Sequence, residues 1–370
     1  MEGISMVSTG YKQSVYFADE STYGSAALVN QPIGLVQSIN PTETNNLIKV
    51  RTLGGTRDYN NIVPGKFEVS GSFEYYLQNG AFLRMAIGED TGTTTTIDSG
   101  PSYHTGDSTT GYAYLHCMGS AASPLANDFP SFTLEFADDE STVGTYNLHR
   151  TYSGCRVNSL AISGSIDEPL RVSTDWIAQG VTISTAGATA VADLATDPYV
   201  FYQGVVYATS GTITSATVIE DDSRLCEVNS FDFSVANNLE ATWYVSGTCG
   251  AHQTNRGLKG LIPKGRDYEA SLNLHFADKD MYQRFLGNAT ATGPQDTLTD
   301  YNVVLDFVRS GSIGGTKTIT DDFIRIVLRE CNFADINIPG GPEDIVTESI
   351  GVAVEAAKVY VVDTDASYTA

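Results

Sequence analysis

Two stretches of strict alternation organise the reading of this chain. Phe67, Val69, Gly71, Phe73 and Tyr75 alternate with Glu68, Ser70, Ser72 and Glu74. Much later, Tyr268, Ala270, Leu272, Leu274 and Phe276 alternate with Glu269, Ser271, Asn273 and His275. A period of two predicts a strand with one buried and one polar face. Apolar residues at helical spacing follow each run and stop at glycine, over Gly80–Gly88 and Asp280–Gly287, which predicts two short helices. Further strands are expected at Leu134–Phe136 and Leu305–Phe307. Closing strands are expected near Val172–Ile183 and Glu348–Val361.

These pairs belong to a longer internal repeat. VQSINPTETNNL at Val36–Leu47 aligns without a gap with VNSFDFSVANNL at Val228–Leu239. A Gly-containing basic stretch follows each, Lys49–Lys66 and Thr248–Arg266, with Pro64 and Pro263 near its end. Downstream, Cys155 opens a strand whose apolar positions and final glycine coincide with those after Cys331. Matching blocks in one order predict two copies of a β-rich unit. The fold class expected is mainly β, with two tandem sandwich domains, each carrying a short helix and a long loop. The expected division is an N-terminal segment 1–30, a first domain 31–190, a linker 191–223 and a second domain 224–370. The linker holds an expected strand at Tyr199–Tyr207. Residues 89–128 read as a Gly/Ser/Thr-rich surface insert in the first domain.

Length, composition and charge narrow the function. With 370 residues, 41% hydrophobic and 18% charged, the chain can bury a real core. No apolar run approaches the length of a membrane-spanning helix, and Met1–Gly10 lacks the pattern of a secretory signal. Lys and Arg number 21 against 44 Asp and Glu, a formal charge of −23. Such acidity opposes phosphate binding, which depends on basic side chains.

Catalytic signatures are missing from the sequence. There is no phosphate-binding glycine loop, nucleophile elbow or zinc motif. His104, His116, His149, His252 and His275 are scattered. The cysteines, Cys117, Cys155, Cys226, Cys249 and Cys331, form no C-x-x-C pair and read as reduced, mostly buried thiols. Asp138–Glu140 and Asp221–Asp222 lack the spacing of a calcium loop and read as solvated turns. No cofactor and no metal are expected.

The basic residues are concentrated. Lys49, Arg51, Arg57 and Lys66 lie in the first loop, and Arg256, Lys259, Lys264 and Arg266 in the second. An acidic body with two equivalent basic loops suggests self-association, each loop docking on another copy. Head-to-tail contacts of this type close into rings or run on as filaments. Two incidental basic hairpins are the plainer alternative.

Three segments carry a resemblance to tail tube proteins of long-tailed phages and archaeal tailed viruses. They are Glu20–Gly24 after Val15–Phe17, then Gly34–Gln37 with the loop and the Phe67–Tyr75 strand, and Tyr152–Cys155 leading a Val/Leu/Ile strand. The resemblance implies rings whose inner strands join a continuous β-barrel. The rings stack through the long loops, making the eight basic residues inter-ring contacts. With two domains per chain, a trimer gives a pseudo-sixfold ring. The implied partners are other copies, and tail terminator, tip and tape-measure proteins. DNA would pass through without specific binding, and the protein would be made in the host cytoplasm and reside in the virion tail. Glu68, Ser70, Ser72 and Glu74, with Glu269, Ser271 and Asn273, are candidates to face the lumen or, equally, bulk solvent. Two other classes stay open at this point. One is a surface or secreted β-sandwich module binding a receptor or carbohydrate. The other is a glycan-processing β-fold enzyme with a carboxylate pair.

Overall fold

The computed structural model describes residues 13–53, 57–88, 114–119, 130–138, 148–184, 191, 194–211, 213, 224–244, 256–310, 322–341 and 345–363. The first half runs β1 (Gln13–Asp19), β2 (Gln31–Pro32), β3 (Leu35–Val50), β4 (Asn61–Tyr76), α1 (Arg84–Ile87), β5 (Tyr114–Gly119), β6 (Phe132–Asp138), β7 (Leu148–Ser165), β8 (Arg171–Ala178) and β9 (Gly180–Ser184). The second half begins with β10 (Gly204–Thr209), β11 (Arg224–Leu225), β12 (Val228–Ala236), β13 (Glu240–Thr242), β14 (Gly260–Ile262) and β15 (Asp267–His275). It continues with α2 (Asp280–Leu286), β16 (Tyr301–Ser310), β17 (Asp322–Asn337), β18 (Thr347–Val354) and β19 (Ala356–Asp363).

One antiparallel sheet spans both halves in the order β3–β4–β8–β7–β12–β15–β18–β17. Two flank sheets pack on it. The first is β2–β1–β6–β7–β9, the second β11–β10–β16–β17–β19–β5. The long strands β7 and β17 each serve two sheets. Their first parts lie in a flank sheet and their last parts in the spanning sheet, which closes a sandwich corner in each half.

The two halves share more than strand order. A bulge between Val36 and Ser38 on β3 recurs between Val228 and Ser230 on β12. That between Val157 and Ser159 on β7 recurs between Phe333 and Asp335 on β17. That between Phe132 and Leu134 on β6 recurs between Tyr301 and Val303 on β16.

Several elements differ from the sequence-based expectation. Gln13–Asp19, placed within the N-terminal segment, pairs with β6 inside the first flank sheet. Gly204–Thr209, placed within the linker, pairs with β16 in the second. A single turn of 3-10 helix at Phe201–Gln203 shortens the strand expected from Tyr199. The first basic loop shrinks to a hairpin tip, because β3 runs to Val50 and β4 starts at Asn61. The helix expected over Gly80–Gly88 shortens to α1. Each expected closing strand is two strands. Within the insert, Tyr114–Gly119 is a strand on β19 of the other half, while the rest lies outside the described residues.

The alternating runs supply the core. Val69, Phe73 and Tyr75 of β4 and Tyr268, Leu272 and Leu274 of β15 are buried, as are Phe231, Phe233 and Val235 of β12. In the first half, Phe82 meets Phe17, Phe73 and Phe132 edge-on at centroid distances of 5.1–5.3 Å. Gly71 lets Trp176 lie across β4, since a Cβ there would meet the indole at 2.5 Å. In the second flank sheet, Arg325 and Asp306 form a buried pair at 3.2 Å.

Candidate assembly surface

Four features of the surface bear on function: a polar sheet face, two bare sheet edges, an apolar hairpin arm, and the places where the basic residues come to rest.

The outward face of the spanning sheet is built from small polar and acidic residues. Glu68, Ser70, Ser72 and Glu74 lie on it, opposite buried Val69, Phe73 and Tyr75. Ladder partners carry the face across the sheet. Ser72 lies between Asn40 and Asp175, and Asp232 between Ser163 and Ser271. Glu269, Ser271 and Asn273 continue it on β15. Lys66 and Arg171 lie on the same face, and Lys66 sits 2.6 Å from Glu68. The hydrogen bonds from Lys66 and Asn46 hold the Glu68 carboxyl below its ordinary range.

Among the described residues, the edges of this sheet are β3 and the last part of β17. Their counterparts by strand order, β12 and β7, pair with each other from Ser230↔Ser165 to Ala236↔Ser159. Pro41 on β3 is the type of residue that blunts a sheet edge.

Beyond the sandwich, β3 and β4 continue as an arm. Leu47, Ile48, Leu53, Ile62 and Val63 are exposed along it, and Leu53 is fully solvated. Clustered exposed apolar side chains make the arm a candidate contact surface.

The basic residues divide into two groups. Lys49 and Arg51 stack on Tyr59 near the arm's tip, at 5.2 and 4.4 Å from the ring centroid, and Arg57 is exposed there. Lys66 also lies over Trp243 at 4.4 Å. Two of the second group, Arg256 and Arg266, hold the halves together. Arg256 donates to the Gly65 carbonyl at 2.6 Å and to Asn45 Oδ1 at 2.7 Å, while the Phe67 N–H donates to the Arg256 carbonyl. Arg266 donates to Asn237 Oδ1 at 2.8 Å and to the Ile87 carbonyl at 2.7 Å. Lys259 is buried, and Lys264 pairs with Glu240 at 2.7 Å. Sequence reasoning placed these residues in loops. It missed the apolar arm because Gly54 and Gly55 masked the continuing strand pattern of Leu47–Val50 and Ile62–Val63.

Little here resembles a reaction centre. His149 is buried with its Nδ1 3.6 Å from Glu135 Oε1, and His275 is exposed on the polar face. Burial raises the thiols of Cys155 and Cys331, the latter to about 12, so neither is an activated nucleophile. Cys226 is exposed, and Asp138 ends β6. His104, Cys249, His252, Asp139, Glu140, Asp221 and Asp222 lie outside the described residues. Among the described residues, no cluster of His, Cys, Asp and Glu is placed to hold a metal, and no helix is long and apolar enough to cross a membrane.

Open sheet edges and a projecting hairpin are features through which a mainly β chain can pair with further strands. The family model for phage tail tube proteins matches residues 10–356, and the chain belongs to that family. Among solved structures, a hybrid NMR and cryo-EM structure of the SPP1 tail tube matches with a TM-score of 0.29 and 9% identity, covering 50% of this chain and 81% of that one. No curated protein matches.

Proposed function

We propose that this protein is a structural subunit of a viral tail tube, built from a duplicated tube domain, and that three copies close one ring. The observation that carries this is the ladder between β7 and β12. It joins the last strand of the first half to the first strand of the second. The bare edges, β17 and β3, are the corresponding strands at the two ends of the same sheet. Repeating the internal register between chains sets Thr42 against Asn337, Glu43 against Ile336 and Thr44 against Asp335. The ring then alternates equivalent halves, which gives pseudo-sixfold symmetry, and closure removes both edges.

Closure also defines the conduit. Eight strands from each of three chains, spaced about 4.8 Å apart and tilted near 40°, enclose a backbone diameter of about 50 Å. That is wide enough for a water-filled channel. The polar and acidic sheet face lines it, with Glu68, Ser70, Ser72, Glu74, Glu269, Ser271 and Asn273 in the wall. A wall of net negative charge gives DNA few phosphate contacts and lets it slide. The arm, with Lys49, Arg51, Arg57 and Lys66, reaches the neighbouring ring or half. The role is structural rather than catalytic. The partners are other copies of the chain and the terminator, tip and tape-measure proteins of the same tail, after synthesis in the host cytoplasm.

Class-averaged electron micrographs of the purified protein test this reading. End views with three repeats of two similar lobes are expected. Six identical two-lobed subunits, or no rings at high concentration, overturn it.

A further inference from the structure

The connector between the halves makes a contact whose counterpart in the second half is open among the described residues. In the first half, the Leu77 N–H donates to the Leu170 carbonyl. The connector residue Tyr199 completes this corner by donating to the Leu77 carbonyl at 2.9 Å and accepting from the Leu170 N–H at 2.8 Å. Pro169 and Val200 form a bridge beside it, and Leu77 and Leu170 are fully buried.

The second half repeats the corner. The Phe276 N–H donates to the Val346 carbonyl at 3.0 Å. Among the described residues, however, none lies on the Phe276 carbonyl or the Val346 N–H. The apolar side chains there stand open: Phe276 is 41%, Val346 36% and Ile345 75% exposed. Two backbone groups without a partner among the described residues, flanked by exposed apolar side chains, suit an added extended segment.

The occupant follows from chain order. Tyr199 and Val200 precede β10 as Ser8 and Thr9 precede β1. The registers support this match: Val206 faces Leu305 as Val15 faces Phe136, and Tyr207 faces Arg224 as Tyr16 faces Pro32. The sequences agree as well, with Tyr11-Lys12 in the place of Tyr202-Gln203. We propose that the segment before β1 of a neighbouring copy docks at this corner, Ser8 bridging the Phe276 carbonyl and the Val346 N–H of the adjacent chain. The contact is made by backbone groups, so Ser8 can take the place of Tyr199. Met6 and Val7 are the apolar residues available to cover Phe276 and Ile345. This inference rests on the ring reading above. It adds a strap over each seam between chains, equivalent to the covalent connector within one.

The test is a disulfide across the bridge that mimics Pro169–Val200. Thr9→Cys and Ile345→Cys are combined in a Cys226→Ser background, and assembled tubes are oxidised. A non-reducing gel is expected to show conversion of monomer into two- and three-chain species and nothing longer, with each single variant unlinked. Unlinked chains in normal tubes overturn the strap while leaving the ring intact. Species longer than three chains place the segment between rings, and a link within one chain assigns it to its own subunit; both overturn the proposal. If the wild-type chain forms no rings, the ring reading and the strap fall together. Should the double variant fail to assemble, a photo-crosslinking residue at Thr9 alone serves. Adducts to another chain near Phe276 or Val346 support the strap, and adducts elsewhere overturn it.

Discussion

The β7–β12 seam and the two bare edges are built from corresponding strands, yet their side chains differ in kind. On β12, Phe231, Phe233 and Val235 are buried, and on β7 so are Leu160 and Ile162. The corresponding positions on β3 are Ile39, Pro41 and Glu43, and at the end of β17 and just past it they are Ile336 and Ile338, all of them half-buried or exposed. The seam inside the chain forms once, during folding, and is built like a core. The edges must stay soluble on a free subunit, so they carry proline and polar groups beside a few isoleucines. On the ring reading proposed above, the permanent seam and the edges that would pair between chains thus carry different residues on the same backbone plan.

The sharpest way to break this comparison is to truncate matched positions. Phe231→Ala at the seam is expected to cost about 3–5 kcal/mol of stability in the free chain. Ile39→Ala, its counterpart on the bare edge, is expected to cost below about 1 kcal/mol, since half-burial contributes little. Denaturant unfolding of both variants decides the matter. Equal losses would show that β3 is already covered in the free subunit.

Arg57 and Arg256 extend the comparison to the basic residues. Arg256 bonds to Gly65 and Asn45 across the seam, and Arg256→Ala should remove about 1.5–3 kcal/mol from the free chain. Arg57 is exposed, and Arg57→Ala should leave unfolding unchanged while raising the concentration needed for assembly. Light scattering during assembly, set beside unfolding curves, separates the two. Loss of free-chain stability in Arg57→Ala would remove it from the assembly surface.

How legible this was in the sequence can be seen in the Asn-Asn-Leu repeat. Period two identified β4 and β15 and the face each buries, although Phe276, counted in the second run, lies past the end of β15 and is exposed. The repeated Asn pair has a plain physical cause. Asn46 Nδ2 donates to the Lys66 carbonyl and to Glu68, and Asn238 Nδ2 donates to the Gly265 carbonyl and to Asp267. Asn238 clamps the entry of β15, and Asn46 clamps β4 where the arm meets the sandwich. What stayed hidden was non-local. No periodicity announces that β7 turns from one sheet into another, that β1 joins β6, or that part of the insert crosses to β19. Those pairings are set by which edges remain open after the local strands have formed. The fates of Arg256 and Arg266 were hidden for the same reason, because their acceptors lie far away in the chain.

Glu348 offers a smaller effect. It occupies on β18 the place that Val172 holds on β8, and it is buried with Oε2 lacking a hydrogen-bond partner among the described residues. Burial, with Asp278 and Glu227 nearby, raises its carboxyl above the ordinary value. The folded state therefore binds this proton more readily than the unfolded state. Stability should be greatest below the unfolded value and fall as pH rises through the folded one. Glu348→Val is expected to gain about 1 kcal/mol at neutral pH and to lose that decline. Thermal unfolding across pH measures both. A variant less stable than wild type at neutral pH would assign Glu348 a partner beyond the described residues.

The least effect is expected at the Asn clamps, where the halves differ by one side chain. Lys66 in the first half stands where Gly265 stands in the second, so Glu68 has a charged partner that Asp267 lacks at that position. With its folded value depressed, Glu68 contributes stability above its unfolded value and loses it as pH falls through the folded one. The pair is exposed, so solvent screening limits the contribution to below about 0.5 kcal/mol. Carboxyl NMR titration resolves what unfolding cannot. Lys66→Ala should move the Glu68 midpoint up toward the ordinary range, and Asn46→Ala should move it less, matching the order of the two hydrogen bonds. An unmoved midpoint in Lys66→Ala would mean that the lysine binds elsewhere in solution. The first arm would then be free to carry that charge to another copy, the role proposed above for Arg57.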